Sequence, residues 1–265
     1  NTPFTIPPVL KRSGKTFKDH EPHGTLKLTL TGVLAKSSNI GTIQASELMG
    51  AEKFNSYLQK FGVGQSTGMQ FPGESKGRLP KLEKWSGTSF PTFAFGQGYM
   101  VTAVQIASMY ATIANDGIRI NPSLIEGYLM PNGQYQDAAL SEKTEVISPR
   151  AAQTLREMME IVVSDEGTAP LAGIPGYRVA GKTGTAQVVD PNCKCYSKEV
   201  IASFIGMAPA ENPEIVVAVS VHNPKNGRYG GQLAGPVFKE VAQYALQQLN
   251  VPPSVGKPTG FPVQW

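Results

Sequence analysis

The chain has 265 residues, 40% hydrophobic and 17% charged, with a formal net charge of +4. That balance allows one large domain or two small ones with a sizeable core. No apolar run reaches the ~18 residues of a membrane-spanning helix, and the basic excess forms no stripe of the kind that binds nucleic acid. The chain opens at Asn1 without a methionine or signal peptide, and it reads as an N-terminally truncated piece.

Residues 1–24 are polar and Pro-containing and read as an irregular leader. Its cluster of Lys11, Arg12, Lys15 and Lys18 reads as a solvated face. Thr25–Lys36 alternates leucine with polar residues and then turns helical, with Leu30, Val33 and Leu34 on one face, stopping at Ser37-Ser38-Asn39. Helices are predicted over Ile40–Leu48 and Ala51–Phe61. In the second, Phe54, Tyr57, Leu58 and Phe61 recur at helical spacing, and Gly62 and Gly64 end it. Residues 62–92 are rich in Gly and Pro, without periodicity, and read as a long surface excursion.

The next helix is sharply marked. Thr102 caps it, Gln105 completes a capping box, and Gly117 stops it; its apolar face is Ile106, Met109, Tyr110 and Ile113. Loops and short extended pieces lead to Ser148-Pro149, which starts a helix running to about Val163. Three strands follow, Tyr177–Val189, Val200–Met207 and Ile215–His222, with hairpin-length links that predict an antiparallel meander. A last helix opens at Gly235-Pro236 with Phe238, Val241, Ala242, Ala245 and Leu249 facing inward. The fold class is α/β (α+β): a mostly helical part over 25–165, an antiparallel sheet flanked by a C-terminal helix over 176–249, and a Pro-rich tail over 250–265. The cleft between the two parts is the expected site.

Cys193 and Cys195 sit at the predicted tip of the hairpin after the first long strand. They form either a local disulfide or two free thiols, and neither a zinc site nor a Cys-x-x-Cys redox pair.

The chemistry centres on Lys182-Thr183-Gly184-Thr185 in that first strand. Alternation puts Thr183 and Thr185 on one face and Lys182 and Gly184 on the other. An ammonium, two hydroxyls and a backbone edge uncluttered at Gly184 make an anion site. Taken alone, the stretch reads first as an edge strand protected by a lysine. Ser37-Ser38-Asn39, taken alone, reads as the cap of the helix after it.

Taken together, the two stretches match two signatures of the penicillin-recognising serine acyl enzymes, Ser-x-Asn followed by Lys-Thr-Gly. Leu28–Leu34, Phe95-Gly96-Gln97-Gly98, Val101–Ala107, Tyr110–Gly117 and Ala202–Ala210 extend the match in order. Over about 25–250 the chain resembles the transpeptidase domain of class B penicillin-binding proteins, most like the septal, cell-division type. The family's third signature, Ser-x-x-Lys with the nucleophilic serine, precedes Ser-x-Asn in its members. Here the one match is Ser254-Val255-Gly256-Lys257, in the tail, and it reads as chance; the nucleophile is expected upstream of Asn1.

The resemblance implies a penicillin-binding/serine β-lactamase-like fold and a D,D-transpeptidase acting on peptidoglycan stem peptides and inhibited by β-lactams. It implies Ser37 as proton relay, Asn39 as amide anchor and Lys182 as the positive field. Thr183 and Thr185, beside Gly184, are the carboxylate clamp, and Gln97 and Tyr99 either shape the cleft wall or, equally, belong to a tight turn before the capped helix. Gly167-Thr168-Ala169 is read as structural, and the three histidines need no catalytic role. No metal or cofactor is called for, and no nucleic acid. Other cell-division proteins are the expected partners, and an N-terminal anchor would hold the protein at the outer face of the cytoplasmic membrane. The competing readings are a β-lactamase or D,D-carboxypeptidase on the same fold, and a non-catalytic β-lactam sensor.

Overall fold

A computed structural model describes residues 2–265 apart from Gln70, Leu140, Pro191, Lys194 and Thr259. The leader is not irregular. It forms β1 (Pro3–Ile6), β2 (Leu10–Arg12) and β3 (Lys15–Phe17). β2 and β3 make a hairpin, and β1 pairs antiparallel with β4 (Leu26–Thr29). Phe4, Ile6, Leu10 and Phe17 are buried in a core shared with Leu28, Val33, Ile40 and Ile43. Strands of three or four residues are too short to show a period, which is why this apolar face is hidden in the sequence.

Helix α1 (Leu30–Ala35) follows β4 directly and buries Thr31, Gly32, Val33 and Ala35. Leu30, expected on one face with Val33 and Leu34, is 38% exposed. The expected face is displaced because α1 is only six residues long and packs the C-terminal tail at Gly32. A Cβ on Gly32 would lie 2.0 Å from the carbonyl oxygen of Val263. That carbonyl accepts the Thr29 N–H at 3.0 Å, the Thr29 hydroxyl donates to Pro262 O at 2.5 Å, and Gln264 bridges to Leu28. The tail therefore ends as an added strand segment on β4, with Val263 buried.

α2 (Asn39–Met49) and α3 (Ala51–Lys60) lie where periodicity placed them, Ser38 capping the first. The 62–92 excursion holds a 3-10 turn at Leu82–Lys84 and the start of α4 (Ser89–Ala94), neither visible in the sequence. α5 (Ala103–Ala114) carries the predicted capping box. Its Gln105 does more than cap. Oε1 accepts the Thr102 N–H at 2.8 Å while Nε2 donates to Gln65 O at 2.7 Å and Lys76 O at 2.9 Å. One nearly buried amide thus ties the excursion to the helix.

Two small antiparallel pairs follow, β5 (Ile118–Ile120) with β8 (Lys143–Glu145), and β6 (Gly127–Leu129) with β7 (Tyr135–Asp137). α6 (Pro149–Val163) starts at the Ser148 cap and packs against the main sheet. That sheet is the predicted meander. β9 (Ala180–Asp190), β10 (Cys195–Ala208) and β11 (Ile215–His222) lie in the order β11-β10-β9, all antiparallel.

α7 (Gly230–Gln248) covers one face of the sheet through Phe238, Ala242 and Leu246. It opens five residues before Gly235, and Pro236 lies inside it. Gly230 and Gly231 begin the helix because it rests on backbone there: a Cβ at either would lie 1.9 Å from Ser203 O or 2.0 Å from Thr168 O. This early start sets the phase of the helix. Val241 and Leu249, expected inward, are exposed at 48% and 59%.

Candidate active site

β9 pairs with β10 on one side only among the described residues, with Lys182 opposite Ile205, Gly184 opposite Ser203 and Thr185 opposite Ala202. Its other edge borders a groove of about 690 Å³. Thr183, Gly184, Thr185 and Gln187 line one side, Ser37, Ser38 and Asn39 another, and Gln97, Thr168 and Tyr229 complete the wall.

Ser37 sits between α1 and α2 in the left-handed region, φ 54°. The turn is held from the α1 side by Ser37 N–H on Leu34 O at 3.2 Å and Ser38 N–H on Val33 O at 3.0 Å. A left-handed serine is strained, and such residues persist where surroundings over-determine them. Its orientation delivers Oγ to Lys182 Nζ at 2.6 Å, across 145 residues of chain.

The lysine head also approaches Thr183 O at 3.2 Å and Thr183 Oγ1 at 3.3 Å. Simple alternation assigns Lys182 and Thr183 to opposite faces, but the four-carbon stem brings the ammonium back to the threonine side. Burial pushes the Lys182 ammonium down to about 8.

The Thr183 hydroxyl shares a hydrogen bond of 2.9 Å with Thr168 Oγ1. Thr168 belongs to the Gly167-Thr168-Ala169 stretch read as structural, yet it borders the groove beside Thr183. Asn39 Nδ2 donates to Lys18 O at 3.0 Å. Gln97 borders the groove; Tyr99 does not, and packs edge-on against Phe93 with centroids 6.0 Å apart. Burial raises the Tyr99 phenol above its usual range.

Ser254 lies outside the groove. Its Oγ accepts the Arg178 N–H at 2.8 Å and its N–H donates to Gly176 O at 2.9 Å, so it fastens the tail to the approach of β9. Cys193 and Cys195 form a disulfide at the hairpin tip, past the end of β9. Among the described residues no three His, Cys, Asp or Glu side chains gather as a metal site.

The groove thus brings Ser37-Ser38-Asn39 onto the Lys182-Thr183-Gly184 strand through one hydrogen bond, uniting the two motifs that carry the resemblance. The family model described as the penicillin binding protein transpeptidase domain matches residues 1–243. The chain belongs to this family. It is 42% identical to the penicillin-binding protein PbpB of Mycolicibacterium smegmatis, over 96% of this chain and 41% of that protein. It is 36% identical to the peptidoglycan D,D-transpeptidase FtsI of Escherichia coli K12, over 94% of this chain and 40% of that one. Penicillin binding protein 3 of Mycobacterium tuberculosis, solved with ampicillin, superposes with a TM-score of 0.93 at 38% identity, covering 99% of this chain and 60% of that one. The chain thus spans about two fifths of the length of these curated relatives.

As a transpeptidase domain, the chain has further groove residues that the sequence did not mark. Asp19 lies in the leader, and Arg228 and Tyr229 precede α7. No motif points to Asp19. Tyr229-Gly230-Gly231 carried a signal in its paired glycines, since close backbone approach is what two glycines at a helix start permit.

Proposed function

We propose that this domain is the transpeptidase half of a peptidoglycan D,D-transpeptidase that cross-links stem peptides through a serine acyl-enzyme and is inhibited by β-lactams. The observation that carries the reading is the 2.6 Å contact of Lys182 Nζ with Ser37 Oγ beside Thr183 and Thr185.

The nucleophile is a serine of a Ser-x-x-Lys segment preceding Asn1. Its Oγ attacks the carbonyl carbon of the penultimate D-alanine. The C–N bond to the terminal D-alanine breaks, and that amine takes up a proton relayed through Ser37. An amine of a second stem then attacks the ester, forming the new amide and returning the proton to the serine. Lys182 supplies positive charge beside the relay. Thr183 and Thr185 hold the terminal carboxylate, which the carboxylate of a β-lactam imitates, and Asn39 holds the substrate amide. The backbone N–H of Thr185 is one half of the oxyanion hole, a donor worth about 10²–10³ in rate. Gln97 lies on the same wall.

The septal assignment rests on the order of motifs from Leu28 to Ala210 and on similarity to proteins named FtsI and PbpB. It carries with it partners from the division machinery and a position on the outer face of the cytoplasmic membrane. No helix among the described residues is long and apolar enough to cross a membrane, so an anchor would lie in another segment.

Intact-mass spectrometry after incubation with penicillin tests the reading. Residues 1–265 alone should gain no adduct. The chain extended to include a Ser-x-x-Lys segment should gain one penicillin, on a peptide preceding Asn1. An adduct mapped to Ser254, or none on the extended protein, would refute it.

A further inference from the structure

Asp19 is a side chain that nothing in the transpeptidase chemistry above uses, yet it touches the motif turn more closely than any other part of the leader. Its carboxylate accepts the Ser38 hydroxyl at 2.7 Å through Oδ2 and the Ile40 N–H at 2.9 Å through Oδ1. His23 Nε2 lies 3.1 Å from Oδ2. The Asp19 side chain is 6% exposed and that of His23 14%. The neighbouring Lys18 carbonyl accepts the Asn39 amide at 3.0 Å. A two-residue strap therefore grips all three consecutive positions after Ser37, one of them through the middle residue of Ser-x-Asn.

We infer that Asp19 is a positioning residue for the acyl-transfer site: it clamps the Ser37–Asn39 turn from the groove side so that Ser37 Oγ stays on Lys182 Nζ. This rests on the transpeptidase reading for its consequence, and on hydrogen-bond geometry for its cause.

Three observations carry it. First, the turn is gripped from both sides. α1 carbonyls hold the Ser37 and Ser38 amides, and Asp19 holds the Ser38 hydroxyl and Ile40 amide. Second, Ser37 is left-handed, a conformation that relaxes when its restraints are lost. Third, a plain helix cap already exists without Asp19: Ser38 Oγ accepts the Gly41 N–H at 2.9 Å. Ser38 Oγ is thus an acceptor for the helix and a donor to Asp19 at once, which fixes its rotamer. A carboxylate at the start of α2 also complements the helix dipole. The chain of contacts runs Asp19, Ser38, Ser37, Lys182, and a shift of ~1 Å at its end is enough to cost about 10² in rate.

The test uses the protein carrying its Ser-x-x-Lys segment, with penicillin acylation resolved into the non-covalent constant K and the acylation rate k2. Asp19→Ala should lower k2 about ten- to a hundredfold and leave K within about threefold. Asp19→Asn should stay within about threefold in both, because its amide oxygen can accept the Ile40 N–H and its NH₂ can donate to Ser38 Oγ. Ser38→Ala should lower k2 in the wild-type background and add little to Asp19→Ala, the signature of a shared path. Amide exchange at residues 37–41, measured on the 265-residue chain, should quicken in Asp19→Ala and not in Asp19→Asn.

A folded Asp19→Ala with wild-type k2 would overturn the inference, as would Asp19→Asn falling as far as Asp19→Ala. Should Asp19→Ala fail to fold, unchanged k2 in Ser38→Ala would overturn it. Absence of acylation in the wild-type extended protein would strike the transpeptidase reading instead; the exchange measurement then decides the clamp, unchanged rates overturning it.

Discussion

Lys182 Nζ and Ser37 Oγ stand 2.6 Å apart, from a strand of the sheet and a turn between two helices. The ammonium is held by hydroxyl and carbonyl oxygens in a site dry enough to bring it to about 8. The proposed role requires the charged form. Penicillin acylation of the extended protein should therefore fall as pH rises through about 8, and Lys182→Ala should abolish it at all pH while leaving the fold intact. A profile flat to about pH 9.5 would contradict the role.

The same group makes stability depend on pH. Its folded value of about 8 lies below the ordinary 10.5, so the unfolded chain binds more protons between those two values. Below about 8 the charged, partly desolvated ammonium penalises the fold in full. The penalty is relieved as pH rises from 8 towards 10.5. Relative to Lys182→Met, the wild-type chain should gain stability across that window, as denaturant midpoints at several pH values would show.

Arg178 and Glu160 form a two-pronged pair at 2.8 and 2.6 Å, with the glutamate side chain only 3% exposed. The pair holds the approach of β9 to α6. Glu160 holds the Arg178 guanidinium above its usual range. Arg178→Ala leaves a buried carboxylate without its partner and should cost about 3–5 kcal/mol in chemical denaturation. The double change Arg178→Met with Glu160→Met should recover most of the loss.

Gly32→Ala should release the C-terminal segment, because its Cβ would fall on the backbone of Val263. The expected loss is about 1–3 kcal/mol. Trp265, whose indole N–H donates to Phe4 O at 3.2 Å and whose ring faces Lys27, provides the readout. Its fluorescence should shift towards that of a solvated indole.

The Cys193–Cys195 disulfide closes a loop of sequence separation 2, so chain entropy allows it only about 1–2 kcal/mol. Asp190 ends β9 eight residues beyond Lys182, roughly 26 Å along an extended strand. Replacing both cysteines by serine should leave acylation within about threefold. Loss of acylation in a folded double variant would show that the hairpin tip reaches the groove.

The sequence by itself determined the elements whose information is local. α2, α5 and α6 announced themselves through caps and helical spacing, and the three long strands through turns and β-branched runs. Ser-x-Asn and Lys-Thr-Gly, in order, named the family. Tertiary structure alone decided what depends on distant partners. The strands β1–β3 are too short to show a period, and they exist because Phe4 finds Leu28 across the chain and the hairpin pair Leu10 and Phe17 packs into the same core. α7 starts at Gly230 because backbone of β10 lies beneath it. Thr168 meets Thr183, Val263 meets Thr29, and Asp19 meets Ser38 through folding that no window of sequence contains. The Lys182 value near 8 is likewise a product of packing, since desolvation is a property of what surrounds a residue and not of the residue.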